Sequence, residues 1–225
     1  MTYREHPVRG PGVACVWSVE IAAVPGRVVP DGSVDLMWHA ASGRLFVAGP
    51  DTSAQFTSLP PGTLVGLRYL PGAAGLGVPA DALRDARVDL ADLWGREAAE
   101  RVGERLVGTS VGQAQRVLLA AAPGAPDPFA ERVRVLAAGT GRVREIADAV
   151  GYGERQLHRR CLAAFGYGAK VLHRVLRFQR ALGLARGGAA FADVAAEAGY
   201  TDQAHLARDV RDLGGTTLTA LVGRA

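Results

Sequence analysis

A seven-residue phrase that occurs twice in the C-terminal half limits the possible folds more than any other feature of the chain. IADAVGY at Ile146–Tyr152 returns as VAAEAGY at Val194–Tyr200, an offset of 48 residues. Beyond the turn the offset becomes 49, with Leu157, Arg159 and Gly166 answered by Leu206, Arg208 and Gly215. One extra residue in the second turn, Thr201-Asp202 against Gly153, accounts for the slip. Val143, Ile146, Ala147 and Val150 recur at i, i+3, i+4 and i+7, which places them on one helix face. After the Gly-Tyr-Gly turn, Leu157, Cys161, Ala164 and Phe165 make the inward side of a second helix. At about 100° per residue, Arg155, His158, Arg159 and Leu162 then fall on the opposite, exposed side.

Two helices across a tight turn form a helix-turn-helix, whose second helix is suited to the DNA major groove. In the second copy Leu206, Val210 and Leu213 must face inward, which leaves Ala204, Ala207, Arg208 and Arg211 outward. Between the copies, Ala169–Ala185 reads as a single helix of about 25 Å at 1.5 Å per residue. Such a connector suits two readers on major-groove segments about 34 Å apart. The charge is placed accordingly: residues 127–225 hold 15 Arg or Lys against 10 Asp or Glu, whereas residues 1–126 hold 11 against 12. Lys170 is the one lysine. Nearly all the positive charge is therefore arginine, whose fork suits phosphate and guanine, although base-biased composition also raises arginine content.

The N-terminal half has a different texture. Val13–Ala23, Arg27–Pro30, Ser33–His39, Arg44–Ala48 and Thr63–Leu70 are short Val- and aromatic-containing runs separated by Pro-Gly, Asp-Gly, Ser-Gly and Gly-Pro pairs, the pattern of antiparallel strands with tight turns. From Pro79 the pattern becomes helical, with Trp94–Val107 as one amphipathic helix and Val111, Ala114 and Leu118 on the next. Pro123–Pro128 reads as a linker, with Asp127 capping the following helix and Pro128 at its first position. The expected architecture is α+β. A β-rich, sensor-like domain with a helical extension spans residues 1–122, and an all-α domain of two helix-turn-helix units joined by a linker helix spans 127–225.

Other constellations carry less. Trp17, Trp38, Arg68 and Tyr69 offer aromatic walls and a cation for a ligand pocket, against the plainer reading of the tryptophans as core residues of alternating strands. Asp31 and Asp35 read as a turn and a strand aspartate rather than an acid–base pair. His39 has no partner at metal-ligand spacing, GAAGLGVP does not open a phosphate-binding helix, and the two cysteines read as reduced thiols. Neither a metal, nor a cofactor, nor a catalytic group is therefore expected. No apolar run approaches the roughly 18 residues of a membrane span, and Thr2–Arg9 lacks the pattern of a secretion signal, so the expected location is cytoplasmic and no membrane partner is expected.

The C-terminal region, about residues 127–225, resembles the AraC-type family of bacterial transcription regulators. The likeness is carried by the paired GY turns, QLHRR and AHLAR in the second helices, RVLRFQRAL at Arg174–Leu182, and the glycine closing each unit. It implies base-contacting positions at Arg155, His158 and Arg159 in the first unit and at Gln203, Ala204, Ala207 and Arg208 in the second. Arg160, Lys170, Arg174, Arg177 and Arg211 are the expected phosphate contacts. The sequence departs from the family where Ala169 and Leu218 stand in place of proline and Leu206 and Val210 in place of an aromatic, while Asp209 and Asp212 bring negative charge near the second reader. The second unit is thus expected to be the weaker one.

RVVPDGSVDLMW, VAGPDT and GLRYLPGAAGLGVPA in the N-terminal half resemble an uncharacterised domain that accompanies some members of this family. The resemblance implies a sequence-specific transcription regulator with double-stranded DNA as partner. A small-molecule effector, a second copy and, for an activator, RNA polymerase are its further implied partners. The alternatives are a non-specific architectural DNA binder, and an enzyme delivered to DNA with Cys15 as nucleophile.

Overall fold

The computed structural model describes residues 3–8, 10–22, 26–121, 124 and 126–223. Ala23 of the first expected strand and Pro123 and Ala125 of the expected linker lie outside the described residues, as do Thr2 and Arg9.

The N-terminal half builds a six-stranded antiparallel sheet from β1 (Tyr3–Pro7), β2 (Val13–Ile21), β4 (Asp35–His39), β5 (Arg44–Ala48), β7 (Gly62–Tyr69) and β8 (Arg87–Asp89), in the order β1-β2-β7-β4-β5-β8. A small ribbon pairs β3 (Arg27–Val28) with β6 (Gln55–Phe56). Side chains alternate between the faces of the sheet. Val16, Leu36, Trp38, Val47, Val65, Leu67 and Tyr69 meet α1 (Leu90–Trp94), α2 (Arg96–Leu106) and α3 (Val111–Ala121). Cys15, Trp17, Ile21, Met37, Phe46 and Leu64 form a second cluster on the other face. Trp17 pairs with Gly66 in the ladder, and its indole lies where any side chain at 66 would have to go.

The sequence expectation differs from this in three places. The helical pattern from Pro79 is interrupted, because a 3₁₀ turn (Ala80–Leu83) leads into β8, which pairs with β5 and completes the sheet edge. The helix expected over Trp94–Val107 begins two residues later, at Arg96, because Gly95 (φ 82°, ψ 154°) separates it from a short helix that ends at Trp94. β1, β6 and β8 are short or exposed and carry little alternation to find them by.

The C-terminal half is all helix: α4 (Pro128–Gly139), α5 (Val143–Val150), α6 (Glu154–Phe165), α7 (Ala169–Arg186), α8 (Phe191–Glu197), α9 (Gln203–Gly214) and α10 (Leu218–Val222). Asp127 caps α4 by accepting from the Phe129 amide at 2.9 Å, with Pro128 at the first helical position, as the sequence predicts. α7 runs through one shared core. Its Leu172, Val175, Phe178, Ala181, Leu182 and Ala185 are buried against Ile146, Leu157 and Phe165 of one unit and Val194, Leu206 and Val210 of the other. Burying Phe178 alone contributes about 3 kcal/mol, which makes α7 the structural spine of both units.

Candidate nucleic-acid interface

Each unit presents its second helix in the same way. In α6 the buried side is Leu157, Cys161 and Phe165, and Arg155, His158 and Arg159 are exposed. In α9 the buried side is Leu206, Val210 and Leu213; Gln203, Ala204 and Arg208 are exposed and Ala207 is half-buried. Asp202 caps α9, accepting from the His205 amide at 2.7 Å. Leu162, placed outward by the helical wheel, is half-buried. Among the described residues no ion pair ties down Arg155, Arg159 or Arg208. Lys170 and Arg211 are likewise exposed and unpaired.

The other three expected phosphate contacts are half-buried and already engaged by neighbouring side chains. Arg160 lies over the Phe129 ring at 3.9 Å and the Tyr152 ring at 5.2 Å, donates to the Tyr152 hydroxyl, and faces Asp127 at 3.8 Å. Arg174 donates to Asp209 and Asp212, each at 2.6 Å. Arg177 donates to Asp209 at 2.7 Å while lying over the Tyr200 ring at 4.1 Å. The charges of Asp209 and Asp212, which in the sequence crowd the second reader, are therefore matched by arginines of α7. Asp209 is buried, and burial alone would raise its pKa, but hydrogen bonds from Arg174 and Arg177 hold it below the usual carboxylate value.

The four residues considered for a ligand pocket are not brought together. Trp17 and Arg68 lie on one sheet face, whereas Trp38 and Tyr69 are buried on the other, beneath the helices. The Arg68 guanidinium is already engaged, with Asp35 at 3.0 Å and Asp31 at 3.2 Å, and the Trp17 indole N–H donates to Asp35 at 2.9 Å. Asp31 is raised by burial, and Arg68 only partly offsets this. Cys15 is buried and its thiol is pushed up to about 11 by that burial, away from the nucleophilic thiolate. Among the described residues no group of His, Cys, Asp and Glu could hold a metal ion, and no helix is long and apolar enough to cross a membrane.

A cavity of about 320 Å³ opens between the two halves instead. It is lined by Val34, Val78 and Leu83 from the N-terminal domain and by Ala163 and Ala164 of α6, with Arg160 and Asp127 as its charged members. Neither this cavity nor the hydrogen bonds that Arg27, Arg84 and Gln179 make between the two halves are readable from sequence, because the partners lie far apart in the chain and no local pattern links them.

A β-sheet domain joined to two helix-turn-helix units on one linker helix defines a class of DNA-binding regulators. Residues 146–224 match the family described as a helix-turn-helix domain, and residues 10–89 match a domain of unknown function, DUF6597. The C-terminal part of the chain is thus an AraC-type helix-turn-helix domain, preceded by a DUF6597 domain. Among solved structures the chain is similar to ToxT from Vibrio cholerae, at 8% identity over 99% of this chain and 98% of that one, with a TM-score of 0.51. It is also similar to ToxT bound to (E)-4-(8-methylnaphthalen-1-yl)but-3-enoic acid, at 12% identity over 98% of this chain and 100% of that one, with a TM-score of 0.50. At such identities the likeness is one of fold. No curated protein sequence gives a match.

Proposed function

We propose that the protein is a sequence-specific transcription regulator whose DNA binding is set by a small-molecule effector acting through the N-terminal domain. The observation that carries the reading is the duplicated reader, two copies of one helix-turn-helix on a common spine, each with its arginines exposed on the outer face of its second helix. Arg155, His158 and Arg159 read bases in the first half-site, and Gln203, Ala204, Ala207 and Arg208 in the second. Lys170 and Arg211, which have no ion-pair partner among the described residues, contact phosphate. Arg160, Arg174 and Arg177 act as braces that hold the readers in place. The role is non-catalytic and belongs in the cytoplasm, where DNA is accessible; a second copy and, for activation, RNA polymerase are the further partners.

The interdomain cavity is the effector site in this reading. It combines apolar side chains from both domains with the charged pair Arg160 and Asp127 and touches α6 directly, and a protein of the same fold, ToxT, has been captured with an aryl-substituted butenoic acid. Titration of duplex DNA at several salt concentrations tests the reading. The expected result is tight binding to a subset of sequences, with affinity falling log-linearly with salt at a slope of about −0.9 per phosphate contact. Equal affinity for every sequence would favour an architectural binder, and a flat salt dependence would remove DNA as the partner.

A further inference from the structure

The N-terminal domain holds the rear end of each recognition helix, and it does so with an arginine in both cases. α6 ends at Gly166 (φ 80°) and α9 at Gly215 (φ 64°), both in the left-handed conformation that stops a helix and turns its last carbonyls outward. Those carbonyls lack helical partners and carry the negative end of the helix dipole. Arg84, directly after the 3₁₀ turn, donates from Nη1 to the Gly166 carbonyl at 3.2 Å. Arg27 of β3 donates from Nη1 to the Gly214 carbonyl at 2.9 Å, steadied by lying over the Phe56 ring at 4.7 Å.

At 166 the glycine is required for this approach as well as for the turn, and at 215 a side chain would push on the arginine itself. A Cβ at 166 would lie 2.6 Å from Pro50 Cγ and 3.1 Å from the Ala80 carbonyl oxygen. One at 215 would lie 2.8 Å from the Arg27 Nη1. A third tie holds the linker helix between the two, where Gln179 Nε2 donates to the Pro30 carbonyl at 2.5 Å. The base-reading residues Arg155 and Gln203 lie near the opposite, N-terminal ends of their helices.

We infer that Arg27 and Arg84 are positioning residues through which the N-terminal domain sets the relative orientation of the two recognition helices, and hence the half-site spacing the protein accepts. The inference rests on the DNA-reading function proposed above. Inserting one base pair between half-sites turns the second by about 35° and moves it by about 3.4 Å, so a held pair of readers discriminates sharply and a released pair does not. The two grips also differ in what controls them. Ala80 and Leu83 line the interdomain cavity, Leu83 directly before Arg84, whereas Arg27 is not among its lining residues. A molecule filling the cavity therefore acts on the first reader's grip and leaves the second in place, which changes the angle between them.

The test uses the full-length protein. A bipartite site is selected from random duplexes with the wild type, and binding is then measured to versions with the spacing changed by one or two base pairs and to a single half-site. The wild type is expected to lose at least about fivefold in affinity per base pair of altered spacing, the size of a mismatched base. The R27Q/R84Q double variant is expected to bind all spacings within about threefold of one another while its affinity for a single half-site is unchanged. Arg84→Lys and Arg27→Lys, which keep a donor for each carbonyl, restore part of the discrimination, so a loss caused by misfolding is distinguishable from loss of the grip. A double variant that retains the wild-type spacing preference overturns the inference. A wild type that selects no sequence at all overturns the DNA-reading function itself.

Discussion

The two helix-turn-helix units share a fold but are secured by opposite charges at the same position. Arg160 in α6 corresponds to Asp209 in α9, at the offset of 49 that relates Arg159 to Arg208. In the first unit the arginine lies between its own aromatics, Phe129 and Tyr152, and faces the interdomain cavity. In the second unit the aspartate faces the spine and receives Arg174 and Arg177, while the matching tyrosine, Tyr200, packs on Arg177. An aromatic–arginine contact is thus kept in both, but its arginine moves from the reader to the linker helix. A repeat preserves packing geometry while leaving the side chain at one shared position free to find a different neighbour in each copy: Arg160 meets Phe129, Tyr152 and Asp127, and Asp209 meets the arginines of α7.

The largest expected effect of breaking this difference is at Asp209. Asp209→Ala leaves two arginines facing each other, one of them, Arg177, only 15% exposed. Removing one partner of a buried pair costs several kcal/mol; with Arg174 36% exposed and partly hydrated, about 2–4 kcal/mol is expected. Thermal unfolding should show a midpoint lower by roughly 5–10 °C. The same group gives a pH signature. Its folded pKa is depressed, so its stabilisation is full above the unfolded value of about 4 and is lost as pH falls through the lower folded value. Acid titration of stability should therefore be steeper below about pH 4 in the wild type than in Asp209→Asn.

At the DNA surface, Arg159→Ala should weaken binding to the selected site by about 1–3 kcal/mol, or about 5- to 150-fold, and Arg208→Ala by less. Gel-shift titrations with the reverse order would make the second unit the principal reader. Arg160→Ala should cost about 1–2 kcal/mol of stability through loss of its aromatic contacts but leave the salt slope of DNA binding unaltered. Lys170→Ala and Arg211→Ala should do the converse, each reducing that slope by about 0.9 with little change in melting.

The repeat was enough to place both readers, because the buried positions of a helix recur with a fixed period and the closing glycines sit at fixed offsets. The Asp127-Pro128 cap was legible for the same reason, since a helix start is decided by neighbours in sequence. Side-chain partners were not. Arg160, Arg174 and Arg177 look alike as exposed cations until the fold brings Asp209, Asp212, Tyr152 and Phe129 to them. Trp17 and Trp38 sit on opposite faces because β2 and β4 both pair with β7, a register that the strands do not announce by themselves. β8 is not legible in the sequence because three residues with two charges carry no strand period. The grips of Arg27 and Arg84 join residues separated by 187 and 82 positions, beyond any local pattern.

Selection of bound duplexes from a random pool by the full-length protein, followed by hydroxyl-radical footprinting of the winners, is the most direct measurement. A two-part reader predicts a bipartite consensus, with protections on one face of the duplex centred about 10–10.5 base pairs apart. A single short consensus with one protected segment, or no consensus at all, would contradict it.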